Sequence, residues 1–156
     1  MDLQTYLTNS VKAQRAESFS KSDQLSLGEM ILKLEPIVAK QPEIIEKYNS
    51  EAKVQYDFEY LYPTEIDSWR GIYAELALNF VSDYYSENKQ LTVTEFYNLL
   101  KSAIGKVFVG YKGGEFIMNK NTPVWVANYG HSGNTAVIDI IDNEYAVIII
   151  TGYREP

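Results

Sequence analysis

The sequence predicts an α+β fold, in which N-terminal helices precede a mostly antiparallel sheet and one capped helix packs on a face of that sheet. Three observations predict it. Apolar residues recur at helical spacing up to about residue 50, they alternate with a period of two from residue 53, and a capping box interrupts the alternating part near residue 92. The 156 residues are most simply one domain, 1–156, with a helical portion, 1–50, and a sheet-rich body, 53–152.

The helical portion begins with an amphipathic segment, residues 2–17, which three serines then interrupt. This first helix either packs on the body or reaches across to a second subunit. Ser26 and Glu29 form a capping box that opens the next helix, and we expect that helix to end near Glu35 because proline is poorly tolerated inside a helix. Pro42 stands at a plausible first position of a further short helix.

The sheet-rich body alternates apolar and polar residues in several segments, which predicts half-buried strands. Thr92 and Glu95 form a second capping box, and Gly105 is expected to end the helix that it opens. One segment, 145–151, is apolar on both faces and therefore suits a central strand. The expected strands are 54–58, 73–80, 106–111, 116–118, 124–128, 135–141 and 145–151, the last two joined as a hairpin across 142–144.

Composition excludes several classes of function. The chain has no cysteine, so thiol catalysis, thiolate metal sites and disulfides are excluded. The net charge is −7 with no run of basic residues, which disfavours binding to DNA, RNA or an anionic membrane surface. No apolar run approaches the roughly 20 residues that span a bilayer, and no signal peptide is evident, so we expect a cytoplasmic protein.

A first candidate ligand site combines Ser68, Trp69, Arg70 and Tyr73 around Gly71. Glycine lets a backbone approach a ligand closely, aromatic rings stack on flat groups, and a planar guanidinium binds phosphate or carboxylate through two hydrogen bonds. Together they suit a flat, anionic ligand. The alternative is structural: Arg70 pairs with a neighbouring acid, at position 65, 67 or 75, and Trp69 belongs to the core.

A second candidate site combines Tyr111, Lys112, Gly113 and Gly114. Backbone N–H groups in a glycine-rich turn can surround an anion, and Lys112 adds a positive charge. The spacing matches neither a P-loop nor a dinucleotide-binding fingerprint. The alternative is an ordinary hairpin turn that carries a solvated lysine.

No catalytic or metal-binding residues are expected. His131 is the only histidine and lies between two glycines, where a structural or neutral role is the simpler interpretation. Asp139, Asp142 and Glu144 gather near one hairpin end without the spacing of an EF-hand loop. Of the thirteen tyrosines, those that could stack on a bound ring are Tyr60, Tyr62, Tyr73, Tyr111 and Tyr129.

Three motifs resemble a family of small tailed-bacteriophage proteins. They are Ser68-Trp69-Arg70-Gly71 with Tyr73 and Glu75, Gly110 to Gly114, and the stretch Trp125-Val126-Ala127-Asn128-Tyr129-Gly130. The resemblance covers roughly residues 54–152 and not the first 50. It implies a phage or prophage origin and a location in the cytoplasm of the bacterial host, and it supplies no catalytic residue.

The sequence therefore favours a non-enzymatic phage accessory protein that needs no cofactor. One hypothesis is a sponge, a homo-oligomer that sequesters a nucleotide second messenger of host immunity, with Arg70 and Lys112 as phosphate contacts in one pocket. The alternative is an acidic inhibitor that binds a basic site on a host defence protein or nuclease. A small hydrolase or transferase is a lesser alternative, because no acid/base pair is evident. A structural or virion component is another.

Overall fold

The structure is a computed structural model, and it describes residues 23–58, 61–67, 76–82, 90–109, 115–126 and 135–153. The described helices are α1 (Leu27–Ala39), α2 (Gln41–Tyr48) and α3 (Val93–Ala103). The described strands are β1 (Lys53–Tyr56), β2 (Leu61–Asp67), β3 (Leu76–Ser82), β4 (Val107–Val109), β5 (Glu115–Ile117), β6 (Val124–Val126), β7 (Thr135–Asp142) and β8 (Ala146–Tyr153).

Six of these strands form one sheet in the order β1-β8-β7-β6-β3-β2, and β4 and β5 form a separate two-stranded ribbon. Within the sheet, β1 pairs with β8 and β3 with β6 in parallel, while the other neighbours are antiparallel. Helices α1 and α3 pack against each other and lie on the sheet, α1 over β7 and α3 over β1 and β2. The expected α+β class is therefore confirmed, with two parallel pairs in an otherwise antiparallel arrangement.

The sheet is strongly curled, because its two edge strands are joined by a very short connection. In a flat sheet, six strands would place β1 and β2 about 24 Å apart. The five steps from Tyr56 to Leu61 reach at most about 18 Å. The Leu61 N–H also donates to the Phe58 carbonyl at 3.3 Å, which shortens the connection further. The edges must therefore approach each other, and α3 contacts both of them.

The free edge of β1 is covered by the segment that leads into α3. The Val54 N–H donates to the Leu91 carbonyl at 3.0 Å, and the Val93 N–H donates to the Ala52 carbonyl at 2.8 Å. The Gln90 side chain adds a bond to the Val54 carbonyl at 3.0 Å. An uncovered strand edge invites pairing with another chain, so this segment both protects β1 and fixes where α3 begins.

Residues just before α1 are inserted between β6 and β7, whose one direct pairing among the described residues is Trp125 with Ala136. The Leu25 N–H donates to the Val137 carbonyl at 2.8 Å, and the Leu25 carbonyl accepts from the Val124 N–H at 3.2 Å. The first helical turn continues this contact, since the Gly28 N–H donates to the Lys120 carbonyl at 2.8 Å. The start of α1 is thereby fixed to the sheet and to the segment that follows β5.

Strand β8 is buried on both faces, as its apolar sequence predicts. Val147 and Ile149 face the main core under the helices, whereas Ile148 and Ile150 join a second cluster on the other face. In β7 a bulge between Val137 and Asp139 shifts the register by one residue. The bulge lets a strand with irregular apolar spacing contribute to both clusters.

Both predicted capping boxes form, at Ser26 with Glu29 and at Thr92 with Glu95. The expected end of α1 near Glu35 is wrong, because the helix continues through Pro36 to Ala39. Proline removes the hydrogen bond to the carbonyl four residues earlier. The carbonyl that lacks this bond belongs to Leu32. Leu32 is 68% exposed, so water can reach this side of the helix.

Strand β2 was not expected, because Pro63 and adjacent polar residues interrupt its pattern. An edge strand tolerates both, since one side of it carries no ladder bonds. The expected helix at 2–17 lies outside the described residues, as does the start of the expected strand 73–80, of which β3 forms the later part.

Candidate functional site

The β4–β5 ribbon is held to the body by one face and exposes the other. Its β-branched and aromatic residues suit a strand pair. Phe108 packs against the main core, and Met118, just after β5, is fully buried in it. On the other face Val107 lies directly opposite Ile117, and these two side chains are 52% and 60% exposed. The ribbon therefore presents an apolar surface to solvent.

The connection from α3 to the ribbon is fixed by a glycine. Gly105 has φ +81°, a left-handed conformation that favours glycine, and it follows the last helical residues as expected. The Gly105 N–H donates to the Met118 carbonyl at 2.7 Å, and the Met118 N–H donates to the Lys106 carbonyl at 3.1 Å. These bonds close the open end of the ribbon beside the core.

Lysines are concentrated around this ribbon. Residues 101–120 contain four lysines and one glutamate, a net charge of +3 in a chain of net charge −7. The Lys101 Nζ lies 5.0 Å from the centre of the Tyr97 ring, and the Lys106 Nζ lies 5.3 Å from the Phe108 ring. Within the described ranges, neither lysine forms an ion pair. The ribbon thus lies within a positively charged stretch of an acidic protein.

The two candidate ligand sites lie outside the described residues, so the meeting of Arg70 and Lys112 in one pocket stays a prediction. The strands on either side of each site are described. Val109 pairs with Glu115, so 110–114 connect the two antiparallel strands of the ribbon. Asp67 pairs with Ala77, so the segment that holds Arg70 connects β2 with β3. The unplaced candidates are Ser68, Trp69, Arg70, Tyr73, Tyr111, Lys112, Gly113 and Gly114.

The segments that hold Arg70 and His131 join the sheet at opposite ends of β6. Leu76, the first residue of β3, lies beside Val124 at the start of β6. Residues 127–134, which include His131, instead follow Val126 at the end of β6 and lead into β7. His131 itself lies outside the described residues.

The three acids near the β7–β8 hairpin are each paired with a lysine. Asp139 pairs with Lys33 at 3.2 Å, Asp142 pairs with Lys40, and Glu144 pairs with Lys47 at 3.0 Å; each lysine is contributed by α1, α2 or the residue between them. Hydrogen bonding to Asp142 raises the pKa of Lys40. Among the described residues no group of three or more His, Cys, Asp or Glu could hold a metal ion. These acids therefore attach the helices to the hairpin.

Sequence reasoning missed the exposed lysines beside the ribbon, Lys101, Lys106 and Lys120, because the chain has a net charge of −7 and these lysines form no continuous run. A charge count over a 20-residue window would have found them. The sequence also suggested that Tyr62 could stack on a ligand. Tyr62 is instead buried in β2, with 2% of its surface exposed, and belongs to the protein interior. The hairpin expected across 142–144 does form.

Comparisons with family models, with curated proteins and with solved structures find no match to this chain. Among the described residues, no helix combines the length and the apolar character needed to cross a membrane.

Proposed function

We propose that this protein is a non-catalytic phage accessory protein that binds a small anionic, nucleotide-like ligand and thereby sequesters a second messenger of host immunity. The observation that carries the proposal is the net charge of +3 over residues 101–120 in a chain of net charge −7. A local cluster of cations draws an anion to one part of an otherwise repulsive surface.

Lys112 and the glycines beside it lie within this positive stretch, in the connection between two paired strands. Connections held by a rigid pair of strands are common positions for binding residues. Arg70, with Trp69 and Tyr73 nearby in sequence, is the proposed second cation, and the aromatic rings are the proposed stacking partners. This composition supports a ligand that is both flat and charged.

Calorimetry against a panel of cyclic nucleotides and ADP-ribose derivatives tests the proposal. We expect one member to bind the wild type. Arg70→Ala or Lys112→Ala should weaken that binding affinity by about 10- to 100-fold, because each removes a charge-assisted hydrogen bond. Lys53→Ala is the matched control, because Lys53 is an exposed lysine on β1, outside residues 101–120 and both candidate sites. If a folded wild type binds nothing in the panel, the proposal fails, and turnover of a panel member would instead indicate an enzyme.

A second candidate function is an acidic inhibitor of a host defence protein or nuclease. It is favoured by the charge outside residues 101–120, which amounts to −10. A pull-down from host lysate should then recover one basic partner, and that recovery should fall when Glu43 and Glu46, exposed on α2, are changed to lysine. If the same amount of partner is recovered after this charge reversal, the inhibitor hypothesis is contradicted.

A further inference from the structure

Six of the large apolar side chains that the described part of the structure exposes fall into two groups on different elements. The hairpin patch, on the β4–β5 ribbon, consists of Val107 and Ile117 together with Ile104, which precedes β4. These three side chains are 45% to 60% exposed. The helix–turn patch consists of Ile45 and Tyr48 on α2 with Tyr145 in the β7–β8 turn, and these are 38% to 48% exposed. The Tyr48 and Tyr145 rings meet edge to face at 5.9 Å, so the second patch is continuous across two elements.

The two patches are flanked by net charges of opposite sign. Glu115 on β5 offsets one lysine at the first patch, and Lys47 at the second is paired with Glu144. Lys101, Lys106 and Lys120 surround the hairpin patch in sequence, all exposed and without an ion pair to any described residue. Glu43 and Glu46 flank Ile45 on α2 and are likewise exposed without an ion pair in the described ranges. An apolar centre with a charged rim is typical of protein–protein interfaces, and these two rims are complementary.

One molecule cannot join its own two patches. The start of α1 is fixed beside the hairpin patch, because the Gly28 N–H bonds the Lys120 carbonyl. The end of α1 is fixed beside the helix–turn patch, because Lys40 pairs with Asp142, three residues before Tyr145. The 13 residues of α1 therefore separate the patches by about 20 Å, at 1.5 Å per residue.

We propose that the hairpin patch of one molecule binds the helix–turn patch of a second copy of this chain. The two contacting surfaces differ, and the arrangement we propose is head-to-tail, not a two-fold dimer that pairs both patches at once. Each bound molecule then keeps one patch free for another copy. Apolar side chains meet in the centre, while the lysines of one copy face Glu43 and Glu46 of the other. This inference does not depend on the proposed ligand.

The association is weak and sensitive to salt. Three half-exposed side chains on each molecule supply far less than the roughly 800 Å² per partner that a stable interface buries. The charged rims are exposed, so salt screens their attraction over a Debye length of about 10 Å at 0.1 M. The assembly therefore grows with protein concentration at low salt and dissociates at high salt.

Sedimentation of two single variants, alone and mixed, tests the proposal. Ile117→Glu places a negative charge in the apolar centre of the hairpin patch, where it would face Glu43 and Glu46, and leaves the helix–turn patch intact. Ile45→Lys likewise places a positive charge in the helix–turn patch, where it would face the lysines, and leaves the hairpin patch intact. Both positions are exposed, so both variants should fold, which thermal melting checks. Leu32→Lys is the matched control, because Leu32 is an exposed apolar residue of α1 outside both patches.

We expect the mean mass of the wild type and of Leu32→Lys to rise above 17.8 kDa with concentration at low salt, and each patch variant alone to stay monomeric. An equal mixture of the two patch variants should form a dimer that grows no further, because each supplies the one patch that the other lacks. A wild type that stays monomeric at millimolar concentration, or that stops at two copies, overturns the proposal. So does a mixture of folded variants that stays monomeric.

Discussion

The Tyr48 hydroxyl donates a 2.7 Å hydrogen bond to the Glu144 carboxylate, and so joins the last turn of α2 to the β7–β8 turn. The same carboxylate accepts from the Lys47 Nζ at 3.0 Å. Glu144 has φ +59°, a left-handed conformation that is costly for a side chain of this kind. The two hydrogen bonds favour the conformation in which the carboxylate faces α2.

This contact makes stability depend on acid pH. Two hydrogen bonds lower the pKa of Glu144 below its ordinary value of 4.5, the larger effect coming from Tyr48 and the smaller from Lys47. A lowered folded-state pKa gives stability that is complete above the unfolded value and is lost as pH falls through the folded value. We therefore expect Glu144→Gln to melt below the wild type at pH 7, and the two melting temperatures to converge as pH falls below about 4.5.

Tyr48→Phe is a useful companion in that experiment, because it removes one of the two donors and leaves Lys47 in place. Its pH dependence should lie between those of the wild type and Glu144→Gln. A difference between wild type and Glu144→Gln that stayed constant from pH 7 to pH 3 would contradict the electrostatic origin of the effect.

Gly28 is required by the close approach of α1 to the segment after β5. A Cβ at this position would lie 2.7 Å from the Lys120 Cβ and 2.9 Å from the Lys120 carbonyl oxygen. Inside a helix, a change from glycine to alanine normally stabilises by about 0.5–1 kcal/mol. Here we expect Gly28→Ala to destabilise by about 1–3 kcal/mol, the usual cost of overpacking.

Chemical denaturation measures this change, with Glu35→Ala as the control at an exposed position of the same helix. The sign of the change in the free energy of unfolding distinguishes overpacking from the usual effect of alanine in a helix. If Gly28→Ala is as stable as the wild type or more stable, then the backbone contact between Gly28 and Lys120 is not as close as described.

Gln41 is a buried amide that joins three elements. Its Nε2 donates to the Ile37 carbonyl in α1 at 2.9 Å, and its Oε1 accepts from the Ala52 N–H, next to β1, at 2.9 Å. Gln41→Ala leaves the buried Ala52 N–H without this bond, whereas the Ile37 carbonyl still accepts from the Lys40 N–H at 3.2 Å. We therefore expect a loss of about 1–3 kcal/mol for the one donor left unsatisfied. Urea unfolding provides the measurement.

Gln90→Ala is the matched control for that substitution, since Gln90 is only partly buried and its amide donates one bond to the Val54 carbonyl. Gln90→Ala should lower the free energy of unfolding clearly less than Gln41→Ala does. Equal losses for the two variants would mean that burial of Gln41 does not govern the cost.

Local signals in the sequence predicted local structure well. Each capping box depends on two residues three positions apart, and both formed because such contacts need no tertiary partner. The central place of β8 was also predictable, since only a strand covered on both faces can be apolar throughout.

Contacts between distant segments could not be predicted in the same way. The parallel pairing of Val54 with Val147, the insertion of Leu25 between β6 and β7, and the edge strand β2 all depend on the whole sheet. At the ribbon, the positive charge was readable from the sequence. The exposure of Val107 and Ile117 was not, because alternating β-branched residues look the same whether their face is covered or open.

The parallel pair of β1 and β8 has a consequence for biosynthesis. β1 emerges from the ribosome early, yet the strand that it pairs with, and that carries the middle of both apolar clusters, is made after every other described element. Until then the helices have an incomplete surface to pack on, and apolar side chains stay accessible to chaperones. Productive folding should therefore wait for β8, and it should be slow relative to that of helical proteins of similar length.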